Sequence, residues 1–217
     1  MKPVKPEHLL DREYLKSRAK LIDPRRAQDF GPGAPPKGGT VYLTAADAAG
    51  MMVSFIQSNY MGFGSGVVVD GISMQNRGGT FVLQDGHPNC VGPRKRPYQT
   101  IIPGFVTKNG KPVMSFGVMG GTMQPQGHAQ VMVRIADYDQ SPQAACDGPR
   151  FRFVQGLQVS VEDNFPKAPL EELQRRGHRI VSIDDYNQFG SAQLIWKLEG
   201  GYFAASDPRR DGQAVGF

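Results

Sequence analysis

From Thr40 onward the chain alternates short apolar runs with glycine-containing breaks. TVYLTAAD and MMVSFIQS predict two strands joined by a turn at Ala48, Ala49 and Gly50. The alanines favour a helix there, but Val41, Tyr42, Val53 and Phe55 are strand formers and outweigh them. Residues 59–66 read as a glycine-rich loop. GVVVDGISM predicts a strand with a glycine-containing break, and TFVLQDG a strand that leads into a long loop. GFVTKNGKPVMSFGVM is the clearest hairpin, because Asn109-Gly110 is a turn dipeptide between two alternating runs. GHAQVMVRIADYD has helical periodicity. Ser141-Pro142 then reads as an N-cap with proline at the first helical position. Residues 169–176 predict a further helix, stopped by Gly177. IVSID, AQLIWKLEG and YFAASDP predict the last strands. The order is α+β, without a βαβ repeat or a dinucleotide fingerprint.

Ahead of this body, residues 7–22 have rough helical spacing and end at Pro24. Residues 29–39 are dense in proline and glycine and read as a linker. The chain thus divides into a segment 1–39 and a body 40–217.

Composition narrows the class. The 217 residues suit one domain, and 39% hydrophobic with 21% charged residues is a globular balance. With 27 glycines and 17 prolines, short strands and many turns are favoured over a helical bundle. Cys90 and Cys146 cannot make a disulfide framework or a four-cysteine zinc site. No apolar stretch has the length of a signal core or a membrane span, so neither is expected, and the compartment is left open. The net charge of +5 is spread along the chain. Its densest cluster, Arg94, Lys95 and Arg96 with Tyr98, is thin for a nucleic-acid platform, and no nucleic-acid partner is expected.

Most catalytic signatures are missing. His8, His87, His128 and His178 form no ligand spacing, so no metal is expected. There is no nucleophile elbow and no Walker loop, and no cofactor is expected. Phe63–Gly66 reads as a turn sooner than a phosphate loop. Two features remain. Thr40 follows Gly38-Gly39 and begins a strand. A hydroxyl nucleophile needs a base, and a threonine at a chain terminus has its own, since a free α-amino group has a pKa of about 7.7–8.0. Cutting the Gly39–Thr40 bond would put nucleophile and base in one residue; read alone, the same residues are a linker entering a strand. Gly120-Gly121-Thr122 follows a strand. Two glycines leave backbone N–H groups unshielded, as an oxyanion hole requires, although a strand-end turn is the plainer reading.

Together these residues resemble the γ-glutamyltransferases (glutathione hydrolases), which are N-terminal-nucleophile hydrolases. The resemblance runs from Leu9 to Phe217. It rests on the Thr40 start, Asp47-Ala48-Ala49-Gly50, FGSGVVV, Lys95-Arg96-Pro97, Gly120-Gly121, DGPRF and the tail GGYFAASDPRRDGQAVGF. It implies an αββα sandwich shared by two subunits, of which residues 40–217 are the small one. LLDREYLKSRAKLID resembles the end of the large subunit. It also implies self-cleavage at Gly39–Thr40, followed by acyl transfer through Thr40. Ser58 falls on the family's hydroxyl partner of the nucleophile. Gly120 and Gly121 fall on the oxyanion glycines, and Gln99 and Thr100 on a pair of serines that contact the substrate carboxylate.

Three positions depart from the family pattern. Tyr60 replaces a common asparagine, and Arg77 and Thr80 replace an amide or acid and an aspartate that hold the substrate's α-amino group. An ammonium without its carboxylate loses a charge-assisted hydrogen bond, and a nearby arginine repels it. These departures favour an acid without the amine, as in a glutaryl (cephalosporin) acylase. The other readings are solvent-facing or subunit-facing roles for Tyr60 and Arg77, and a non-catalytic fragment or interaction subunit. In each catalytic reading the resemblance implies a large-subunit partner and a small γ-glutamyl or glutaryl amide as substrate.

Overall fold

The computed structural model describes residues 12–20, 22–27, 40–61, 64–99, 101–182 and 186–217. Helix α1 spans Arg12–Ala19, within the helix predicted over residues 7–22. Part of that helix, and the linker at 29–39, lie outside the described residues. After α1 the chain touches the body, where the Ala27 N–H donates to the Arg176 carbonyl at 2.7 Å.

The centre is an antiparallel sheet in the order β11-β10-β6-β5. It is built from β5 (Gly104–Lys108), β6 (Lys111–Met119), β10 (Ser191–Leu198) and β11 (Gly201–Ser206). Asn109 and Gly110 both have positive φ (53° and 74°), as the tight β5–β6 turn demands. On one face lie α2 (Met123–Ala136) and α3 (Pro142–Asp147). They bury an apolar layer that includes Met114, Phe116, Val118, Leu194, Val131 and Ile135. On the other face lies the hairpin β1 (Val41–Ala46) and β2 (Met52–Gln57), closed by the predicted turn at 47–50.

The alternation along β6 assigns its two faces. Val118 presses on α2 at Gly127, where an added Cβ would lie 2.5 Å from Val118 Cγ1. The next residue inward, Gly117, takes the ring of Tyr42 from β1, and a Cβ there would meet the ring at 2.4 Å. Ser115 shares a hydrogen bond with Thr44. One strand therefore packs against helices with its even residues and against the hairpin with its odd ones.

A second sheet, β7-β8-β9, flanks α2. It joins β7 (Phe151–Gln155), β8 (Gln158–Val161) and β9 (Arg179–Ile180). The pairing of β7 with β8 is antiparallel; β8 and β9 are parallel, connected through α4 (Lys167–Arg175). This single βαβ crossover, and the strands β7 and β8 themselves, are not apparent in the sequence pattern. The free edge of β7 faces α2. The side-chain amide of Gln126 accepts from Phe153 N–H (2.7 Å) and donates to its carbonyl (3.3 Å). Gln130 does the same for Phe151 (3.2 and 2.9 Å). Glutamines four apart on a helix rise about 6 Å, close to the two-residue repeat of a strand.

Three predicted elements change. Helix α2 begins at Met123, not Gly127. Pro125 sits in the first turn, where its missing N–H costs nothing, and Gly127 is an interior close-contact site. The strand predicted over 80–86 is not formed. Arg77–Thr80 is a 3₁₀ turn, and only a Val82–Cys90 bridge follows. Asn89 supplies the backbone partners there, donating to the Thr80 carbonyl (2.6 Å) and accepting from Tyr98 N–H (2.9 Å). The break in GVVVDGISM is a turn at Asp70-Gly71 (φ 50° and 79°) between β3 (Val68–Val69) and β4 (Ile72–Ser73).

Candidate functional site

Thr40 stands immediately before β1 and is partly buried. Two registers locate its neighbours. Within the hairpin, Val41 opposes Gln57, so Thr40 falls opposite Ser58. Both line a cleft of about 420 Å³ with Asn59. Across the layers, Tyr42 lies over Gly117 and Thr44 meets Ser115, so Thr40 falls level with Met119. Thr40 and Met119 line a second cleft of about 380 Å³.

Gly120 and Gly121 follow Met119 directly and lead into α2. Their φ values are 136° and 58°, in the region that glycine favours. Gly120 is also packed close: a Cβ there would lie 2.8 Å from Gly190 Cα. The Met123 and Gln124 N–H groups turn back to the Gly120 and Gly121 carbonyls. The helix dipole is positive at that end, so an oxyanion formed beside Gly120 and Gly121 would meet a favourable field.

Ser58, Tyr60 and Arg77 form one cluster. The Tyr60 N–H donates to Ser58 Oγ at 2.8 Å, and Arg77 Nη2 donates to the Ser58 carbonyl at 3.3 Å. The Arg77 guanidinium lies 5.5 Å from the Tyr60 ring centroid. Both side chains are buried, at 5% and 8% exposure, so the solvent-facing reading is ruled out. Burial pushes the Tyr60 phenol above its ordinary pKa, against the pull of the Arg77 charge. Burial likewise lowers that of Arg77, with Tyr60 opposing. Thr80 is tied to backbone, its hydroxyl donating to the Arg77 carbonyl (2.7 Å) with the Tyr98 carbonyl at 3.2 Å. Gln99 is exposed, and its Oε1 accepts from Ile101 N–H at 3.1 Å. Gly39 and Thr100 lie outside the described residues.

Sequence reasoning missed two parts of this region. The first is the tail: Arg210–Val215 forms a wall of the cleft that holds Thr40. Gly212 allows its approach, since a Cβ there would meet Gln193 Nε2 at 2.6 Å. The second is a buried ion cluster behind the site. Arg150 pairs with Asp207 at 2.6 Å, and Arg209 pairs with Glu162 at 2.6 Å and Asp207 at 3.0 Å. Arg150 also donates to the carbonyls of Phe189 and Gly190, the residue packed on Gly120. The signal was present in DGPRF and DPRR, where arginine sits in otherwise structural segments. Among the described residues, no group of His, Cys, Asp and Glu could hold a metal ion, and no helix is long and apolar enough to cross a membrane.

The chain is similar to several known proteins. A glutathione hydrolase-like YwrD proenzyme of Bacillus subtilis is 37% identical over 97% of the chain and 41% of the relative. An oxamate amidohydrolase proenzyme of Klebsiella pneumoniae is 34% identical over 97% of the chain and 42% of the relative. Among solved structures, a cephalosporin acylase from Bacillus halodurans superposes with a TM-score of 0.88 at 52% identity, covering 97% of this chain and 39% of that one. The chain thus spans about two fifths of the relatives it matches. Its α+β layers are those of the N-terminal-nucleophile hydrolases of this group. The family model for gamma-glutamyltranspeptidase matches residues 2–217, and the chain belongs to the gamma-glutamyltranspeptidase family.

Proposed function

We propose that residues 40–217 are the catalytic small-subunit part of a self-processing amide hydrolase and acyltransferase, and that residues 1–39 are the end of a large-subunit segment with its processing linker. The observation that carries this is the position of Thr40, opposite Ser58 and level with Met119–Gly120. The relatives' description as proenzymes supports the processing step.

In this reading the Thr40 hydroxyl attacks the Gly39 carbonyl, and the acyl group moves from nitrogen to oxygen. Water then hydrolyses the ester and frees residues 1–39. The released α-amino group takes the Thr40 hydroxyl proton as that oxygen attacks a substrate amide. Gly120 and Gly121 hold the oxyanion while Ser58 steadies the nucleophile. The amine leaves with the proton, and water or an amino acid collects the acyl group. A large subunit closes the site. The exposed apolar face of β1–β2, with Val41, Leu43, Val53 and Phe55 outward, supports such a partner.

The preferred acyl donor is an acid amide without an α-ammonium. Thr80 offers a neutral hydroxyl already bound to backbone, and Arg77 sets a positive charge next to Ser58. Gln99 and Thr100 contact the donor's carboxylate. The oxamate-directed relative supports this preference, since oxamate carries a carboxylate and no ammonium. Missing one buried charged partner costs about 3–5 kcal/mol, or about two to four decades in kcat/KM.

In the assembled enzyme, Thr40→Ala should abolish both self-cleavage and turnover. Intact-mass data showing cleavage at another bond, or activity in that variant, overturn the proposal. Competition between glutaryl and γ-glutamyl anilides tests the head group: the glutaryl substrate should win, and a roughly tenfold preference for γ-glutamyl would refute this part.

A further inference from the structure

Tyr60 adopts φ 76°, a left-handed conformation that a bulky aromatic residue rarely takes. Such a backbone persists only where its surroundings over-determine it, and it clusters at functional sites. The surroundings here are specific. Asn76 stitches the loop on both sides: its N–H donates to the Asn59 carbonyl (3.1 Å), and its Oδ1 accepts from Met61 N–H (3.0 Å). Arg77, the next residue, puts its guanidinium against the Tyr60 ring and donates to the Ser58 carbonyl. The turn through Ser58 and Asn59 brings the Tyr60 N–H back onto Ser58 Oγ at 2.8 Å. A glycine at position 60 would take this conformation without strain but would leave the guanidinium no ring to lie against.

We infer that Tyr60 and Arg77 are positioning residues, a clamp that presets the Ser58 hydroxyl opposite Thr40; the inference rests on Thr40 being the nucleophile. The Ser58 carbonyl is held by Arg77, and its side-chain oxygen by the Tyr60 N–H. One lone pair of Oγ is thereby committed, and the hydroxyl proton must lie off that axis. The rotamer of Ser58 is fixed before substrate arrives, so no ordering is left for the reaction itself. Arg77 acts here through Ser58 and has no need to touch the acyl donor.

The test uses the assembled enzyme, with self-cleavage followed by intact mass and turnover of glutaryl p-nitroanilide resolved into kcat and KM. Arg77→Met should lower kcat and the self-cleavage rate together, by about 10–100-fold, with KM within about threefold. Arg77→Lys should fall between Met and wild type, because it keeps the charge and loses the planar fork. Combining Arg77→Met with Tyr60→Gly should be no worse than the poorer single variant, as for two parts of one device. A rise in KM with kcat unchanged would show that Arg77 reads the substrate, and would overturn the clamp. Wild-type kinetics in Arg77→Met would also overturn it. Should Arg77→Met fail to fold, Arg77→Lys and Tyr60→Gly decide by the same split. An active Thr40→Ala removes the functional reading itself; an inactive Thr40→Ala beside an unaffected Arg77→Met removes only the clamp.

Discussion

The two faces of β6 hold different kinds of layer. Toward the helices, Met114, Phe116 and Val118 meet Leu194, Val131 and Ile135 in an apolar core. Toward the hairpin, Ser115 and Gly117 meet Thr44 and Tyr42, and Tyr42 Oη shares a hydrogen bond with Ser54 Oγ at 2.7 Å. The inward side of the hairpin mixes Tyr42, Thr44 and Ser54 with Met52 and Ile56, while Val41, Leu43, Val53 and Phe55 point out. The helix face supplies non-directional cohesion, proportional to the area it buries. The hairpin face supplies directional contacts that set where β1 begins, and Thr40 is the residue just before it. Stability and placement are assigned to opposite sides of one strand.

Substitutions on the helix side should give the largest change in stability. Asp207→Asn leaves Arg150 and Arg209 with an excess of buried charge, and should lower stability by about 3–5 kcal/mol in denaturant melts. A loss under 1 kcal/mol would mean the cluster is far more solvated than its burial implies.

The seam has its own signature in pH. Burial raises the Tyr42 phenol from 10.0 to about 12, with the Ser54 and Thr44 hydrogen bonds opposing. The folded state therefore favours the neutral phenol. That contribution is complete below pH 10 and is lost as pH rises from 10 towards 12, by about 2–3 kcal/mol at most. Melts across this window should steepen in wild type and flatten in Tyr42→Phe. Identical pH slopes in the two proteins would show that Tyr42 is not the group responsible.

Gly117→Ala tests placement more than cohesion. The added methyl meets the Tyr42 ring and should cost about 1–3 kcal/mol. Self-cleavage of the assembled protein should suffer more than that loss explains, because the methyl lifts the strand that carries Thr40. A variant that melts earlier yet cleaves at the wild-type rate would separate the seam from the site. The smallest effect on the fold belongs to Phe55→Ser on the outward face. The melting of the chain should change by no more than about 0.5 kcal/mol, while self-association in sedimentation should fall. Unchanged association would remove the outward face as the sticky surface.

Elements decided by local chemistry were legible in the sequence. Asn109-Gly110 needs two positive φ angles, Ser141 caps α3 by accepting from Ala144 N–H (3.3 Å), and Gly177 at φ 101° ends α4. The β1–β2 turn was legible too, whereas Ser58 was placed beside Thr40 only by the family resemblance, and its opposition to Thr40 comes from the hairpin register. What stayed hidden depends on distant partners. Pro125 and Gly127 look like helix breakers, and only the close approach of Val118 explains a glycine inside α2. Strand β7 has its outer edge satisfied by a helix, which no strand pattern announces. The tail at 210–215 has no periodicity, and its place beside Thr40 depends on Gly212 lying against β10. Tyr60 and Arg77 could be singled out by type, but their stacking depends on a left-handed turn that tyrosine itself does not suggest.

The paired amides of Gln126 and Gln130 give β7 a neighbour that imitates a strand. An amide suits this because its N–H and C=O stand side by side and can face the N–H and C=O of one strand residue at once. A carboxylate in place of either could take but not give, and would set an oxygen against the carbonyl it faces, that of Phe153 for position 126 or Phe151 for position 130. Deamidation of either glutamine would therefore open that rung and leave part of β7's edge as a template for another chain's strand.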